Sequence, residues 1–182
     1  MWITAILFLI LVIGDQVSKY FTMTMIDPKN PIEIGSFVKF QLVYNKGAAF
    51  GLGENFAWIL VVISGVATII LGYIAMKNDW KHGKFNAIGV TMAFAGCVGN
   101  LIDRVLTLVG LRDGVVDMIS FGPWNWILGL FGGGENTFNV ADVLLVFGLI
   151  MLIIDYLFLY DKRARKYGYY SKRKESWKFK TR

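Results

Sequence analysis

Four long apolar segments constrain the fold of this chain more than any other feature of the sequence. They run from about Trp2 to Phe21, Phe56 to Met76, Phe85 to Leu106 and Val140 to Tyr160. A helix rises about 1.5 Å per residue, so about 20 residues cross a hydrocarbon core of about 30 Å. Because 55% of the 182 residues are hydrophobic and the mean hydropathy is +0.53, we predict a membrane all-α bundle of four transmembrane helices.

Positive charge is concentrated at the C-terminal end. Residues 161–182 hold ten Lys and Arg against two acidic residues, whereas the rest of the chain holds nine against eleven. We therefore predict a transmembrane domain over residues 1–160 and a basic tail over 161–182. The uneven charge favours contact of the tail with an anionic membrane surface over nucleic acid, and contact with a ribosome or RNA is the minor alternative.

The distribution of basic residues between the loops predicts the topology. An even number of spans leaves both termini on one side, and cytoplasmic loops carry the excess of Lys and Arg. Loop 77–84 carries three Lys, whereas the longer loop 107–138 carries only Arg112. We predict that both termini and loop 77–84 are cytoplasmic and that loops 22–55 and 107–138 lie outside. The first apolar segment resembles a signal peptide but lacks a basic start and a cleavage site, so we expect a retained helix.

The two outer loops carry weaker structural signals. The partial alternation in IEIGSFVKFQLVYN predicts short strands, a small extracytoplasmic β-like element on the membrane. Trp124, Trp126 and Phe131 in the second loop favour an interfacial amphipathic turn or helix, with Gly132–Gly134 as a hinge, and loop 121–131 could then close over a site as a lid. A plain flexible loop anchored by interfacial Trp explains the same pattern.

With this topology, the unusual polar residues fall at one level, near the outer leaflet. They are Asp15, Asn45, Asn100, Arg104, Asp117 and Asp142. Ionisable groups at membrane depth are costly and are usually kept for a function, so this convergence predicts a functional site. A small transporter or channel is the first alternative, but its polar residues would spread through the membrane, and the inner halves of these helices look apolar.

Two aspartates suggest hydrolytic chemistry. Asp117 lies in VVDMI and Asp142 in FNVAD, and two neighbouring carboxylates can share one proton and activate a water. Asp142 also has a structural explanation, because Asn139 could cap the fourth helix with Asp142 at its third position. Asp117, among apolar neighbours, would need a hydrogen-bond partner or a proton. A non-catalytic assembly factor that acts through the tail would tolerate the loss of both aspartates.

Three further motifs have two explanations each. Asp15 and Lys19 in DQVSK are spaced i,i+4, which favours a simple ion pair, although the pair could also fix a substrate head group. NKGAAFG at 45–51 permits a tight turn, either for packing or for binding an extended substrate through the backbone. GNLIDR at 99–104 could hold helix ends together through an Arg–Asp network or orient a carboxylate or a lipid phosphate.

The sequence offers little for other kinds of chemistry. Cys97 is the single Cys and His82 the single His, and they share no motif. We therefore expect no Cys/His or Ser/His catalysis, no metal site and no cofactor. We expect Cys97 to pack in a helix interface and His82 to be solvated. Ala95 and Gly99 have the spacing of a helix-packing pair, within or between chains, and we expect a monomer.

Five motifs, in this order, resemble those of bacterial lipoprotein signal peptidase (signal peptidase II). They are DQVSK at 15–19, NKGAAFG at 45–51, GNLIDRV at 99–105, VVDMI at 115–119 and FNVAD at 138–142. The resemblance extends over about residues 1–160. It implies a metal-independent aspartyl endopeptidase of the bacterial cytoplasmic membrane, with its site near the outer leaflet. Such enzymes cut the signal peptide from prolipoproteins just before a Cys that carries a diacylglyceryl group.

The resemblance also implies roles for individual residues. Asp117 and Asp142 match the catalytic pair, which globomycin-type cyclic peptides block in this family. Seven others match positions that shape the site and hold substrate: Asp15, Lys19, Asn45, Gly47, Asn100, Arg104 and Asn139. In this hypothesis one carboxylate takes a proton from water, and the other donates to the scissile carbonyl oxygen and then to the leaving amine. Departures from the family pattern are Val143, where a small polar residue is common, the long loop before Asp142 and the long tail.

Overall fold

Four long helices form the body of the protein, as the apolar segments predicted. The computed structural model describes residues 2–47, 57–130 and 136–167, with backbone alone for residues 57 and 127–129. Three of the helices are α1 (Trp2–Met25), α2 (Ala57–Met76) and α3 (Lys84–Leu108), and the fourth runs from Val140 to Lys166. Each is long and apolar enough to cross a membrane. The predicted spans therefore agree with the helices, which extend one to six residues further at four of the eight ends.

The two loops that the sequence analysis predicted to lie outside, 22–55 and 107–138, together supply the strands of one antiparallel sheet. Its strand order is β1 (Ile32–Ile34), β2 (Val38–Asn45), β3 (Val115–Phe121) and β4 (Thr137–Phe138). A short helix, α4 (Gly122–Leu130), follows β3 directly. The β-like element and the helix in the second loop are thus confirmed, while the predicted hinge Gly132–Gly134 lies outside the described residues.

Asp117 lies in a strand, where the sequence analysis placed it in a loop. β3 pairs with β2 on one side and β4 on the other, and Val115 to Met118 are all buried. A strand covered on both faces shows no alternation of polar and apolar residues, so its sequence does not indicate a strand. Pairing with β2 places Val43 opposite Asp117 and Asn45 opposite Val115. The side chains of Asn45 and Asp117 are therefore diagonal neighbours on one face of the sheet.

The fourth membrane helix has three parts. It consists of α5 (Val140–Ile154), a π-helical turn (Asp155–Leu159) and α6 (Tyr160–Lys166). Asp155 is buried and accepts hydrogen bonds from both Arg163 and Asn86, at the end of the bundle away from the sheet. The expectation that the inner halves of the helices are apolar is therefore wrong here, because a single Asp within a long apolar run does not interrupt the hydropathy pattern.

Close packing of α3 against α5 fixes the centre of the bundle. A Cβ added at Gly96 would meet the Ala141 carbonyl and lie 2.7 Å from the Leu145 backbone nitrogen, so only glycine fits at this contact. A Cβ at Gly99 would lie 2.5 Å from Asp15 Oδ2. Ala95 is fully buried. The Ala95 and Gly99 pair therefore packs within the chain, and the monomeric state stays a prediction.

Candidate active site

Asn139 joins the two candidate catalytic aspartates. Its side-chain nitrogen donates a hydrogen bond to Asp117 Oδ1 at 2.7 Å, and its backbone nitrogen donates to Asp142 Oδ2 at 3.1 Å. Its side-chain oxygen accepts from the Asp142 backbone nitrogen at 3.0 Å, which completes the capping box at the start of α5. The helix cap and the functional site are therefore one arrangement, because the capping residue also holds Asp117.

Two more amides bind the remaining carboxylate oxygens. The Asn45 side chain donates to Asp117 Oδ2 at 3.0 Å, and the Asn100 side chain donates to Asp142 Oδ1 at 2.7 Å. Each carboxylate thus accepts two hydrogen bonds from amide groups. Within the described part of the chain, neither Asp117 nor Asp142 has an ion-pair partner. Amide donors orient both carboxylates without cancelling their charge.

Beneath the aspartates lies a fully buried Lys19. Its ammonium group forms ion pairs with Asp15 at 2.9 Å and Asp103 at 2.8 Å, and it donates to Asn100 Oδ1 at 3.2 Å. Asn100 Oδ1 also accepts from Asn139 at 3.0 Å. Because Lys19 can only donate, Asn100 must turn its oxygen toward Lys19 and its NH2 group toward the aspartate. Lys19 therefore sets the orientation of Asn100.

The buried ion pairs also tie the helices to the sheet. Asp15 Oδ1 accepts from the backbone nitrogen of Ala141, in the first turn of α5, at 2.8 Å. Asp103 pairs with Arg112 and accepts from the Val116 backbone nitrogen in β3 at 3.3 Å. One face of this network therefore holds α5 and the other holds β3. These are the two elements that carry the aspartates.

A polar pocket opens on one side of the pair. It is lined by both aspartates and by Asn45, Lys46, Gly47, Leu60, Asn100, Arg104, Thr107 and Val115. Arg104 donates to Ser64 Oγ in α2 at 2.7 Å. Gly47 has a positive φ of 87° and lies against the side chain of Leu60, so a larger residue would not fit. Its backbone nitrogen donates to Asn45 Oδ1 at 2.9 Å, which turns the NH2 group of Asn45 toward Asp117.

An apolar cleft opens on the other side. It shares Asn45, Asp117 and Asp142 with the polar pocket and is otherwise mainly apolar: Phe121, Trp124, Phe138, Val143, Val146 and Phe147, with Asn136 and Thr137. Val143, which departs from the family pattern, therefore lies on an apolar wall. The two aspartates lie where a polar pocket and an apolar cleft meet.

The electrostatics of the pair favour one shared proton. Burial and, to a smaller extent, the negative charge of Asp142 raise the pKa of Asp117 to about 6, against the opposing effect of hydrogen bonds from Asn45 and Asn139. Asp142 lies in the first turn of α5, where the helix dipole favours a negative charge. A raised pKa lets Asp117 hold a proton more readily than an ordinary carboxyl group does, and a water-activating pair of carboxylates needs one such proton.

Neither Cys97 nor His82 lines the polar pocket or the apolar cleft. Cys97 is half-buried in α3, and His82 pairs with Asp79 at 2.7 Å near the other end of that helix. Over residues 2–47, 57–130 and 136–167, no three His, Cys, Asp or Glu residues are grouped to hold a metal ion. The expected absence of metal and cofactor stays a prediction.

Comparison with known proteins decides the family. Residues 7–158 match the sequence model of the family described as signal peptidase (SPase) II. The chain belongs to the signal peptidase II family. It is 33% identical over 162 residues to the lipoprotein signal peptidase of Fusobacterium nucleatum, covering 88% of this chain and 89% of that one. It is 32% identical over 151 residues to the Mycobacterium avium lipoprotein signal peptidase, covering 81% and 74%.

Solved structures agree with this family. A bacterial membrane enzyme determined in meso at 1.9 Å resolution matches with a TM-score of 0.70 and 31% identity, over 87% of this chain and 95% of that one. A second, at 2.3 Å, matches with a TM-score of 0.69, 31% identity and coverage of 86% and 88%. The chain is therefore a multi-pass membrane protein and an aspartic-type peptidase, which confirms the resemblance seen in its motifs.

The structure brings together all nine residues that the motifs of the signal peptidase II family indicated. Seven form one hydrogen-bonded network, while Gly47 and Arg104 lie on the wall of the polar pocket. The sequence analysis missed Asp103 as a partner of Lys19 and grouped it with Arg104, which contacts Ser64 instead. One signal for Asp103 was present, because Asn100 and Asp103 are spaced i,i+3 and so share a helix face.

Proposed function

We propose that this peptidase removes the signal peptide from diacylglyceryl-modified prolipoproteins, with Asp117 and Asp142 as its catalytic pair. The names of the relatives, lipoprotein signal peptidases, support the substrate class. One observation carries the catalytic assignment. Three other buried aspartates, Asp15, Asp103 and Asp155, each pair with a Lys or Arg, whereas Asp117 and Asp142 are held by amides and face both pockets.

In the proposed reaction the pair activates one water. Ionised Asp142 takes a proton as the water oxygen bonds to the scissile carbonyl carbon, while Asp117 donates its proton to the carbonyl oxygen. The resulting diol collapses when the C–N bond breaks. Asp142 then gives its proton to the leaving amine, and the diol returns one to Asp117. This step differs from the hypothesis drawn from the sequence, because Asp117 has already given its proton to the carbonyl oxygen and only Asp142 carries one at this stage. Because the two groups titrate as a unit, the pair as a whole holds one proton before and after each cycle.

The surrounding residues have positioning roles in this proposal. Asn139 and Asn100 hold the carboxylates, and Lys19 acts through Asn100, so none of the three exchanges a proton with the substrate. Arg104 and Gly47 line the polar pocket, where an extended peptide can bind through its backbone. The free donors of Arg104 suit a carbonyl or ester oxygen of the substrate.

We assign the lipid-bearing side of the substrate to the apolar cleft. Its walls include Phe121, Val143, Val146 and Phe147, and Val146 and Phe147 are also exposed on the lipid-facing surface of α5. A diacylglyceryl group can therefore stay in the hydrocarbon while the adjacent Cys reaches the aspartates. The lipid then fixes the depth of the scissile bond, which lies just before that Cys, so remote binding energy supplies orientation. Trp124, on α4, would cover the bound group as a lid.

The proposed location is the bacterial cytoplasmic membrane, with both termini in the cytoplasm. The Lys residues of loop 77–84 and the basic C-terminal end support this orientation. It puts the sheet, α4 and the aspartates at the outer leaflet, where a translocated lipoprotein precursor would arrive. A reporter fused after Lys166 should be active on the cytoplasmic side, and activity on the outer side would reverse the topology.

Cleavage of a defined substrate tests the whole proposal. Purified protein is incubated with a diacylglyceryl-modified prolipoprotein peptide and with the same peptide lacking lipid, with and without a chelator. We expect cleavage before the lipidated Cys, no effect of the chelator and block by a globomycin-type cyclic peptide. Asp117→Asn and Asp142→Asn should be inactive, while the matched control Asp113→Asn, an exposed carboxylate, stays active. Normal cleavage by both active-site variants would disprove the mechanism.

A further inference from the structure

A separate basic pocket lies at the end of the bundle away from the aspartates. It is formed where α3 begins and α6 ends, and it is lined by Lys84, Lys162, Lys166, Phe85, Leu159 and Tyr167, with Arg163, His82 and Gly83 behind them. The three Lys side chains are exposed at its rim, while Phe85 and Leu159 are half-buried. The pocket therefore combines a cationic rim with an apolar floor, and the peptidase reaction makes no use of it.

The wall of this pocket is fixed because Arg163 is held by hydrogen bonds to buried Asp155. Its two terminal nitrogens donate to Asp155 at 2.5 and 2.8 Å, and Asn86 also donates to Asp155 at 3.1 Å. A Cβ at Gly83 would lie 3.4 Å from the guanidinium group, so the loop before α3 packs directly on it. Arg163 is therefore part of the scaffold, and the Lys residues are the groups that can bind a ligand.

The π-helical turn makes this arrangement possible. In a regular helix, residues eight apart are rotated about 80° from each other, because each residue turns about 100°. The turn at Asp155–Leu159 takes up about one extra residue, which brings Asp155 and Arg163 to within about 20° on the same face. Lys162 and Lys166, spaced i,i+4, then line one side of the pocket opposite Lys84. Such turns inside α-helices are frequent at functional sites.

Aromatic residues place the pocket at the level of lipid headgroups. Tyr167 contacts the His82 ring at 4.4 Å between centroids, and the Lys166 ammonium lies 5.4 Å from the centre of the Tyr167 ring. Tyr156 and Tyr160 are exposed on the same end of the fourth membrane helix. Tyr and Trp concentrate at the membrane–water interface, where their rings sit beside the headgroups.

The charge of the pocket selects the ligand. Asp155 is neutralised by Arg163, Asp79 pairs with His82, and Asp161 is an exposed acidic neighbour of Lys162. The three rim Lys residues leave a local excess of positive charge beside an apolar floor. A phosphate with an attached apolar chain can contact both the Lys residues of the rim and the apolar floor, whereas a free phosphate can contact the rim alone.

We propose that this pocket binds the phosphate headgroup of an anionic phospholipid, with the start of an acyl chain against Phe85 and Leu159. The site is distinct from the peptidase centre and does not depend on the proposed function. The attraction of a polybasic surface to anionic lipid corresponds to about fivefold in affinity for each Lys or Arg, so three Lys residues together should change the affinity substantially.

Lipid binding to the full-length protein in neutral detergent tests this proposal. Native mass spectrometry would follow the binding of short-chain phosphatidylglycerol, phosphatidylcholine and inorganic phosphate. The pocket variant is K84Q/K162Q/K166Q, and the matched control is K77Q/K81Q/R165Q, which removes three exposed cations at the same end of the bundle that do not line the pocket. We expect wild type to hold one phosphatidylglycerol in preference to phosphatidylcholine.

The two variants should separate a built site from general surface charge. We expect the pocket variant to weaken phosphatidylglycerol binding by at least about tenfold and the control by less than about threefold. Equal losses in both variants would overturn the proposal, since the effect would then come from surface charge alone. Equal binding of phosphatidylcholine, or binding of inorganic phosphate as tight as that of the lipid, would also overturn it.

Discussion

The two ends of the helical bundle both bury carboxylates, but they neutralise them differently. At the end away from the sheet, Asp155 accepts two hydrogen bonds from Arg163 in a bidentate arrangement and a third from Asn86. At the end beside the sheet, a buried cluster forms in which Lys19 pairs with Asp15 and Asp103, and Arg112 also pairs with Asp103. The layer above it, Asp117 and Asp142, is held by amide groups alone among the described residues.

Under the proposed function, this difference separates carboxylates with a structural role from carboxylates with a catalytic role. A carboxylate paired with a buried cation stays ionised and is a poor proton donor or acceptor, because its charge is already compensated. A carboxylate held by neutral amides keeps its charge available, and a second one beside it forces the two to share a proton. Burial alone therefore does not distinguish the proposed catalytic aspartates of this chain from its other buried aspartates, whereas the kind of partner does.

The largest expected effect contrasts Asp142 with Asp155. Asp142→Asn removes the proposed base, so cleavage should fall by about 10³–10⁴-fold while the unfolding temperature stays close to wild type. Asp155→Asn leaves Arg163 without its partner, so it should cost about 3 kcal/mol of stability and leave kcat within about twofold. Cleavage rates and thermal unfolding in detergent, measured on both variants, give the comparison.

The control for this contrast is Asp113→Asn, which removes an exposed carboxylate and should change neither quantity. A loss of kcat in Asp155→Asn as large as that in Asp142→Asn would contradict the division between the two ends.

The next effect concerns the cation of the outer network. Lys19→Met leaves Asp15 without a counter-charge and Asp103 with Arg112 alone, so it should destabilise the protein by about 3–5 kcal/mol. The double variant Lys19→Met/Asp15→Asn removes the unpaired charge and should recover part of that loss. Lys81→Met, at an exposed site, is the control. The measurement is the free energy of unfolding in detergent. Equal values for Lys19→Met and Lys81→Met would show that other groups neutralise the buried carboxylates.

The sequence predicted the helices and the convergence of polar residues because both depend on patterns within short segments. Hydropathy gave the four spans, and the positive charge of loop 77–84 oriented them, so that Asp15, Asn100 and Asp142 fell at one depth. The sequence analysis did not predict β3 as a strand. This strand is buried on both faces, and its partner β2 lies about seventy residues earlier along the chain. The pairing of Lys19 with Asp103 escaped for a similar reason, since it depends on how α1 packs against α3.

The ion pair at the end of the bundle away from the sheet could not be predicted from the sequence either. Asp155 and Arg163 are eight residues apart, a spacing that does not indicate a pair on a regular helix. The π-helical turn between them changes the rotation and makes the contact. A local irregularity of the backbone, which no sequence pattern announced, therefore decides whether a buried Asp is neutralised.

A smaller effect concerns the dependence of stability on pH. The pKa of Asp117 rises from 3.8 to about 6 on folding, because the buried site disfavours its charge. A raised pKa means that the protonated form is stabilised, so this contribution is complete below about 3.8 and is lost as pH rises through about 6. Relative to Asp117→Asn, wild type should lose at most about 3 kcal/mol of stability between pH 4 and 7.

Thermal unfolding of wild type and Asp117→Asn over this range provides the measurement. Asp27→Asn is a useful control, because hydrogen bonding to the Lys29 backbone nitrogen lowers the pKa of exposed Asp27 and so gives it the opposite sign. Parallel curves for wild type and Asp117→Asn would show that Asp117 is not held in an environment that favours its proton.

The smallest effect tests the packing that joins the two ends. α3 and the fourth membrane helix carry residues of both polar clusters. Gly96 lies at a close contact of α3 with α5, where an added methyl group would meet the Ala141 carbonyl and Leu145. Gly96→Ala should therefore push the helices apart and cost about 1–3 kcal/mol. Gly14→Ala is the matched control, since an added methyl group there meets nothing within 4 Å and should be neutral or slightly stabilising.

Activity separates two consequences of the Gly96 change. Ala141 lies beside Asp142, and its backbone nitrogen donates to Asp15, so a shift of α5 at this point should move the proposed catalytic carboxylate as well as loosen the bundle. We expect kcat to fall more than KM rises, because the substrate walls formed by α2 and the sheet stay in place and only the apolar wall on α5 moves with Asp142. A variant that lost stability but kept full kcat would show that the capping box of Asn139 positions Asp142 independently of the contact between α3 and α5. That contact would then contribute to the stability of the bundle and not to the position of Asp142.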